Sequence, residues 1–206
     1  MLFGSIKSSI RLIKESFRVL RHDPELVLLT AFSFIGVAIV AILAGVATLG
    51  TGVIDSGGKE VVIDSTGYMV LALAYFLGYF LIIYFQVALV CAVQFRIAGG
   101  DPNVWYGIAE ANRRLSAILS WTVIAATVGL LLGMLEGAAR SRRGGFGLIS
   151  IILVKMIGMG WGLLVFFVIP VIAAEGIGGF AAIRRSASII KEKWGEAVVG
   201  AAGVGL

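Results

Sequence analysis

Residues 68–93 read YMVLALAYFLGYFLIIYFQVALVCAV, a stretch without one charged side chain. A helix needs ~20 mostly apolar residues to cross the hydrocarbon core of a bilayer, so this stretch is long enough to do so. Similar stretches occur before and after it, and the spans that we predict are residues 26–49, 68–95, 115–135 and 148–174. The sequence therefore predicts an all-α fold, an integral membrane helical bundle that forms a single domain over residues 1–206.

The composition fits a chain whose solvent is lipid. Of the 206 residues, 59% are hydrophobic and 14% are charged, whereas charged residues make up about 25% of a typical soluble domain. The net charge is +5, but the basic residues flank the predicted spans. We therefore expect anionic membrane lipids as partners, and no nucleic acid.

The distribution of lysine and arginine predicts the orientation of the chain. With the N-terminus in the cytoplasm, the cytoplasmic segments hold 12 of these residues and the outer segments hold 4. This bias favours a multi-pass protein of a prokaryotic cytoplasmic membrane with a cytoplasmic N-terminus. The basic loop of residues 136–147 would lie outside, unless the third and fourth spans form a re-entrant pair that keeps it inside.

Three further segments have the spacing of amphipathic helices, namely residues 1–25, 103–114 and 178–195. An apolar stripe beside a basic face is typical of helices that lie in the membrane interface. We predict that all three are cytoplasmic and interfacial. The candidate contacts to lipid headgroups are Lys7, Arg11, Lys14, Arg18, Arg113, Arg114, Arg184 and Arg185.

Two of these segments share a pattern of residues. Gly107, Ala111 and the pair Arg113-Arg114 recur 71 positions later as Gly178, Ala182 and Arg184-Arg185. The pattern suggests a repeated unit of an interfacial helix followed by a transmembrane hairpin, although any basic amphipathic helix would look alike. On this reading residues 197–206 begin a truncated fifth span, and we predict that the natural chain continues.

Small residues recur at every fourth position in the third and fourth spans. The candidate packing residues are Ala125, Gly129, Gly133, Gly158 and Gly162. Small side chains let the backbones of neighbouring helices approach closely in lipid. We expect this ridge to join the third and fourth spans, with the contact face of a homo-oligomer as the alternative.

The residues give no sign of catalysis. One histidine, His22, and one cysteine, Cys91, lie at different predicted depths, so no metal, cofactor or catalytic residue is predicted. The possible polar groups inside the membrane are Lys155, Gln86 and Gln94. We expect Lys155 to reach towards the interface and the two glutamines to bond neighbouring helices, while a transport role would place all three in the bundle centre.

Several phrases resemble those of a known family. They are residues 16–26 (SFRVLRHDPEL), 99–102 (GGDP), 126–131 (ATVGLL), 166–171 (FFVIPV), 175–176 (EG) and 182–186 (AIRRS). They are similar to a family of prokaryotic multi-pass membrane proteins that is described only as a domain of unknown function. More distantly, the chain resembles the membrane portion of some glycerophosphodiester phosphodiesterases. The resemblance implies about six helices and brings no catalytic residue with it.

We therefore expect a non-enzymatic structural or accessory component of the membrane, which binds lipid, partner subunits or a second copy of itself. The alternative is a passive permease or a lipid-handling protein. A polar cavity lined by Gln86, Gln94 or Lys155 would favour the alternative, and a closed bundle would favour the first function.

Overall fold

A computed structural model describes residues 24–50, 65–141 and 145–203, and all of its regular structure is helical. The helices are α1 (Pro24–Gly50), α2 (Ser65–Ile97), α3 (Val104–Arg113), α4 (Leu115–Ser141), α5 (Gly145–Val165), α6 (Val168–Glu175) and α7 (Gly179–Gly203). The predicted all-α fold is confirmed. The first amphipathic segment, with Lys7, Arg11, Lys14 and Arg18, lies outside the described residues apart from its last two positions.

Four stretches are long and apolar enough to cross a membrane, which confirms a multi-pass, membrane-embedded protein. They are Leu26–Thr48, Ser65–Ile97, Leu115–Ser141 and Ile149–Glu175. Large apolar side chains on these helices point away from the bundle, and Phe34 and Met159 are 74% and 76% exposed. Surfaces of this kind are suited to lipid and unsuited to water.

The spans run up and down between two ends of the bundle. The loop end holds the last residues of α1 and α4 and the first residues of α2 and α5, and the α3–α7 end holds α3 and the first turns of α7. Contacts fix this arrangement, because Gly107 of α3 lies against Leu29 of α1 and Ala88 of α2. Nearer the loop end, the Tyr75 hydroxyl donates a hydrogen bond of 3.2 Å to the carbonyl oxygen of Ala126.

The buried core is concentrated at the α3–α7 end. It draws on the first two turns of α1, the second half of α2, the start of α4 and all of α6. Its members are Leu26, Leu29, Ile83, Val87, Ala88, Cys91, Ala92, Ala111, Ala117, Ile118, Trp121, Val168, Val171, Ile172, Ala173 and Ala182. The helices are therefore closely packed over one half of their length and much less so over the other.

Two glycines permit this close packing. A Cβ atom on Gly107 would lie 2.9 Å from the carbonyl oxygen of Ala88, and one on Gly178 would lie 2.5 Å from the Cα atom of Ala117. Both neighbours are backbone atoms, which cannot rotate away. Ala111 and Ala182, each four positions after one of these glycines, are fully buried. The repeated sequence pattern thus occupies equivalent packing positions in α3 and α7.

The fourth span changes direction at Phe166 and Phe167, between α5 and α6. Pro170 causes the interruption, because it has no N–H to donate to the Phe166 carbonyl and its ring collides with that group. Ser186 of α7 bonds to the chain at this break. Its hydroxyl donates to the Leu164 carbonyl oxygen at 2.5 Å and accepts from the Phe167 N–H at 3.2 Å.

Helices α3 and α7, predicted from the sequence as interfacial, pack on protein more than the sequence suggested. The apolar stripe of α3, expected in the acyl boundary, faces α2, because Val104 and Ile108 pack against the core and Ala111 is part of it. On α7 the buried positions include Ala182 and Ser186, while Phe180 is exposed. The backbone of α7 is one continuous helix through residue 203, across the predicted boundary between residues 178–195 and 197–206.

Candidate ligand-binding cavity

A cavity of about 820 Å³ lies between α2, α4 and α5. It is lined by Tyr79, Ile82, Ile83, Gln86, Trp121, Ala125, Gly129, Leu132, Gly133, Glu136, Val154, Lys155, Gly158, Trp161, Val165 and Ile169. On α4 the lining extends from Trp121 to Glu136, which at ~1.5 Å per helical residue is ~22 Å. The cavity therefore covers most of the ~30 Å hydrocarbon thickness of a bilayer.

The break in the fourth span explains why this space exists. Helix α4 contacts both α2 and α5, and α6 packs on α2. Beyond the break, α5 and α2 face each other across the cavity instead of continuing the close contact that α6 makes. At the bottom, the rings of Trp121 and Trp161 stack with their centroids 6.1 Å apart. Beyond Val165 and Ile169, the α3–α7 end is filled by the buried core, which includes Ile118, Val168 and Ile172.

The predicted glycine ridge lines this space instead of closing it. A Cβ atom on Gly133, Gly158 or Gly162 would meet no heavy atom within 4 Å. The prediction that α4 and α5 approach closely at these three positions is therefore wrong, because the two helices meet at the Trp121–Trp161 pair and leave a gap beside the glycines. Homo-oligomer contact through these glycines stays a prediction.

Gly129 and Ala125 also line the cavity, where α4 approaches α2. A Cβ atom on Gly129 would lie 2.7 Å from the Tyr79 hydroxyl and 2.9 Å from the Tyr75 hydroxyl, both on α2. Ala125 is half-buried and packs against the core. These two small residues bring α4 close to α2, whereas the sequence suggested a contact with α5.

Polar groups occur at two levels of the cavity. Towards the loop end, Glu136 and Lys155 line the same wall, and Glu136 accepts an ion-pair hydrogen bond of 2.6 Å from Arg140. Deeper, Gln86 lines the cavity opposite the tryptophans. Gln94 is exposed on α2 and is not among the lining residues. The structure thus brings together two of the three polar groups that the sequence singled out.

Most of the arginines predicted to bind lipid headgroups have partners within the chain. Arg113 and Arg114 both pair with Glu110, and Arg185 pairs with Glu175 at 2.8 Å. The hydrogen bond from Arg114 holds the pKa of the Glu110 carboxyl below its usual range. Of the four described candidates, only Arg184 forms no ion pair with another described residue.

Three features of the cavity and of the neighbouring break in the fourth span could not be predicted from the sequence. Glu136 belonged to a predicted loop, although its spacing of four from Arg140 is that of a helical ion pair. Trp121 and Trp161 carried no signal that they would stack, because they lie in different spans. Ser186 was one of several serines in an amphipathic segment.

No cluster of three histidine, cysteine, aspartate or glutamate side chains able to hold a metal occurs in the described ranges. The cavity instead joins apolar walls to a few polar groups, which is the usual construction of a site for a small organic ligand. The fold and the cavity thus define a multi-pass helical membrane protein with a candidate ligand site inside the bundle.

Residues 65–206 match the model of a family of unknown function, DUF6159, and the chain belongs to that family. The predicted family resemblance is confirmed. Five of the six phrases that carried it lie within the matched range, and residues 16–26 lie outside it. Comparison with curated proteins and with solved structures gives no match. The likeness to the membrane portion of glycerophosphodiester phosphodiesterases thus finds no support.

Proposed function

We propose that this protein is a non-enzymatic accessory component of a prokaryotic cytoplasmic membrane that holds one lipid-like molecule in the cavity between α2, α4 and α5. The observation that carries the proposal is the 820 Å³ cavity itself, with mostly apolar walls and the charged side chains of Glu136 and Lys155 towards one end. A lipid-like molecule has the same division between an apolar chain and a polar group.

The surroundings of the cavity support retention of a ligand over passage through the protein. Towards the α3–α7 end, the lining stops at Val165 and Ile169, and buried core residues such as Ile118 and Ile172 fill the space beyond. A passive permease needs a path that continues to both membrane surfaces. We therefore favour a lipid-binding protein over a permease.

Two neighbouring glycines offer a matched test of this proposal. Gly158 lines the cavity, Gly160 does not, and a Cβ on either would meet no heavy atom within 4 Å. A leucine side chain at Gly158 would occupy the cavity, whereas one at Gly160 would point elsewhere. We expect Gly158→Leu to lose co-purified lipid and Gly160→Leu to keep it.

The measurement is native mass spectrometry of the full chain purified in a mild detergent, followed by extraction and analysis of bound lipid. The mass of the intact particle also shows whether a second copy or another subunit accompanies the chain. Equal lipid retention by the two leucine variants would refute a site in this cavity.

The proposed orientation has a separate test. The excess of lysine and arginine in alternate segments supports a cytoplasmic N-terminus. In a Cys91→Ala background, a cysteine placed at Ser8 should react with a membrane-impermeant maleimide only after the cells are permeabilised. Labelling of intact cells would reverse the orientation.

A further inference from the structure

We infer that the ligand of this cavity is an anionic single-chain amphiphile, whose acidic headgroup pairs with Lys155 and whose chain extends towards Trp121 and Trp161. The inference rests on the proposed function, because it names the class of molecule that the cavity would hold. The charges of the cavity and its size carry the inference.

The charges of the cavity are unequal. The Glu136 carboxylate already has a partner in Arg140, with 2.6 Å between nitrogen and oxygen. Lys155 lines the same cavity, and no hydrogen bond or ion pair joins it to another residue in the described parts of the chain. One acid and two bases therefore lie together and carry a net charge of +1. The charge of Lys155 acts on the Glu136 carboxylate, but that carboxylate bonds to Arg140, and the Lys155 ammonium group forms no ion pair with another described residue.

An ammonium group beside apolar walls attracts an anion, because opposite charges interact more strongly next to a surface of low dielectric constant than in bulk water. Lys155 is exposed in the structure, so its ammonium group is accessible to a ligand within the cavity. A carboxylate or a phosphate monoester on the ligand would supply the missing charge. A neutral headgroup would leave it uncompensated.

The size of the cavity favours one chain. Pockets for a single small ligand typically enclose about 300–1,000 Å³, and this cavity encloses about 820 Å³. Its part nearest the α3–α7 end is lined by Ile83, Val165 and Ile169, next to the tryptophan pair. A space of this volume is suited to a single acyl chain.

The tryptophan pair towards the α3–α7 end provides a direct assay, because bromine atoms on a lipid chain quench nearby tryptophan fluorescence. The full chain would carry Trp105→Phe and Trp194→Phe, so that only Trp121 and Trp161 emit. Brominated stearate is the anionic probe, and the brominated monoacylglycerol of the same chain length is the neutral one. We expect saturable quenching by stearate, with weaker binding of the neutral probe.

Charge substitutions then separate an ionic contact from general apolar binding. Lys155→Gln should weaken stearate binding about tenfold, the equivalent of one ion pair, and Lys155→Arg should restore it. Glu136→Gln should strengthen stearate binding by about twofold to fivefold, because a nearby negative charge is removed. Neither substitution should change binding of the neutral probe.

The outcomes distinguish this inference from the proposed function. If both probes quench equally and Lys155→Gln changes neither, the cavity binds lipid but the headgroup need not be anionic, and the inference is wrong. If neither probe quenches the two tryptophans, the proposed function fails as well. Stearate binding that depends on Lys155 and is blocked by Gly158→Leu would support both.

Discussion

The two ends of this bundle are built from the same kinds of residue and behave differently. At the α3–α7 end, Gly107 and Gly178 face backbone atoms of neighbouring helices. Towards the loop end, Gly133 and Gly158 face open space and line a cavity. A glycine in a membrane helix therefore marks either a close contact or a place kept clear of side chains, and the direction of the neighbouring helix decides which.

Lipid as a solvent makes this difference possible. A water-soluble bundle with splayed helices would expose apolar surface to water at a large cost in free energy. In a membrane, the open half faces lipid chains that are as apolar as its own walls, so close packing is needed only where it fixes the fold. The packed end can hold the helices together while the open half remains available to a ligand.

The largest effect should come from the packed end. Gly178→Ala would force a methyl group against the backbone of Ala117, and overpacking of this kind costs about 1–3 kcal/mol, and sometimes more. We expect a loss near 3 kcal/mol, with much less folded protein after purification. Thermal unfolding in detergent measures it. Wild-type stability of this variant would show that α7 does not pack on α4 as described.

The next effect concerns the two hydrogen bonds between Ser186 of α7 and the break in the fourth span. Ser186→Ala leaves the Phe167 N–H and the Leu164 carbonyl of the break without their partner. A buried group left unsatisfied costs about 1–3 kcal/mol, and we expect about 2 kcal/mol. Ser188→Ala is the control, because the Ser188 hydroxyl bonds only to the exposed Glu192 side chain at 3.2 Å. Equal unfolding temperatures for the two variants would contradict the role given to Ser186.

A smaller effect should depend on pH. The folded-state pKa of Glu110 lies below its ordinary value because Arg114 bonds to the carboxylate. A depressed pKa contributes stability that is present above the unfolded value of about 4.3 and is lost as the pH falls through the folded value. We expect the unfolding temperature to fall below about pH 4, and to fall less in Glu110→Gln. The same pH profile in both proteins would show that the ion pair of Glu110 does not stabilise the fold.

The smallest effect should come from the open half and should have the opposite sign. Gly133→Ala adds a methyl group where no heavy atom lies within 4 Å, and alanine favours a helix by about 0.5–1 kcal/mol over glycine. We expect a slight rise in unfolding temperature. A clear loss of stability would mean that α4 and α5 approach closely at Gly133.

The sequence was sufficient for the features that depend on one segment at a time. The four spans and the family could be predicted from runs of residues, since length and hydropathy determine whether a helix crosses a bilayer. The amphipathic stripe of α3 was also correctly identified. Its partner was not, because Val104 and Ile108 would look the same whether they faced lipid or α2.

The cavity could not be predicted because it depends on where helices diverge. The glycines of α4 and α5 have the spacing of a packing motif. In the structure, a Cβ atom on Gly133, Gly158 or Gly162 would meet no heavy atom within 4 Å, which the spacing alone does not reveal. The chain at the break in the fourth span is bonded by Ser186, which lies on another helix and carries no signal of that contact in the sequence. Lys155 stood out in the sequence as a charged residue within a span. That it lines the same cavity as Glu136 could be learned only from the fold.

The hydrogen bonds of Ser186 also constrain the order in which the protein can be assembled. Ser186 follows Leu164 by 22 positions, so the fourth span must leave the ribosome and enter the bilayer before its bend can be secured. Until α7 emerges, the nascent chain holds a proline-containing span whose freed backbone groups have no side chain from α7 to bind. A pause in translation before residue 186 would therefore leave the fourth span inserted in the membrane without the hydrogen bonds at its break. Quality-control proteases would act on the protein in this state.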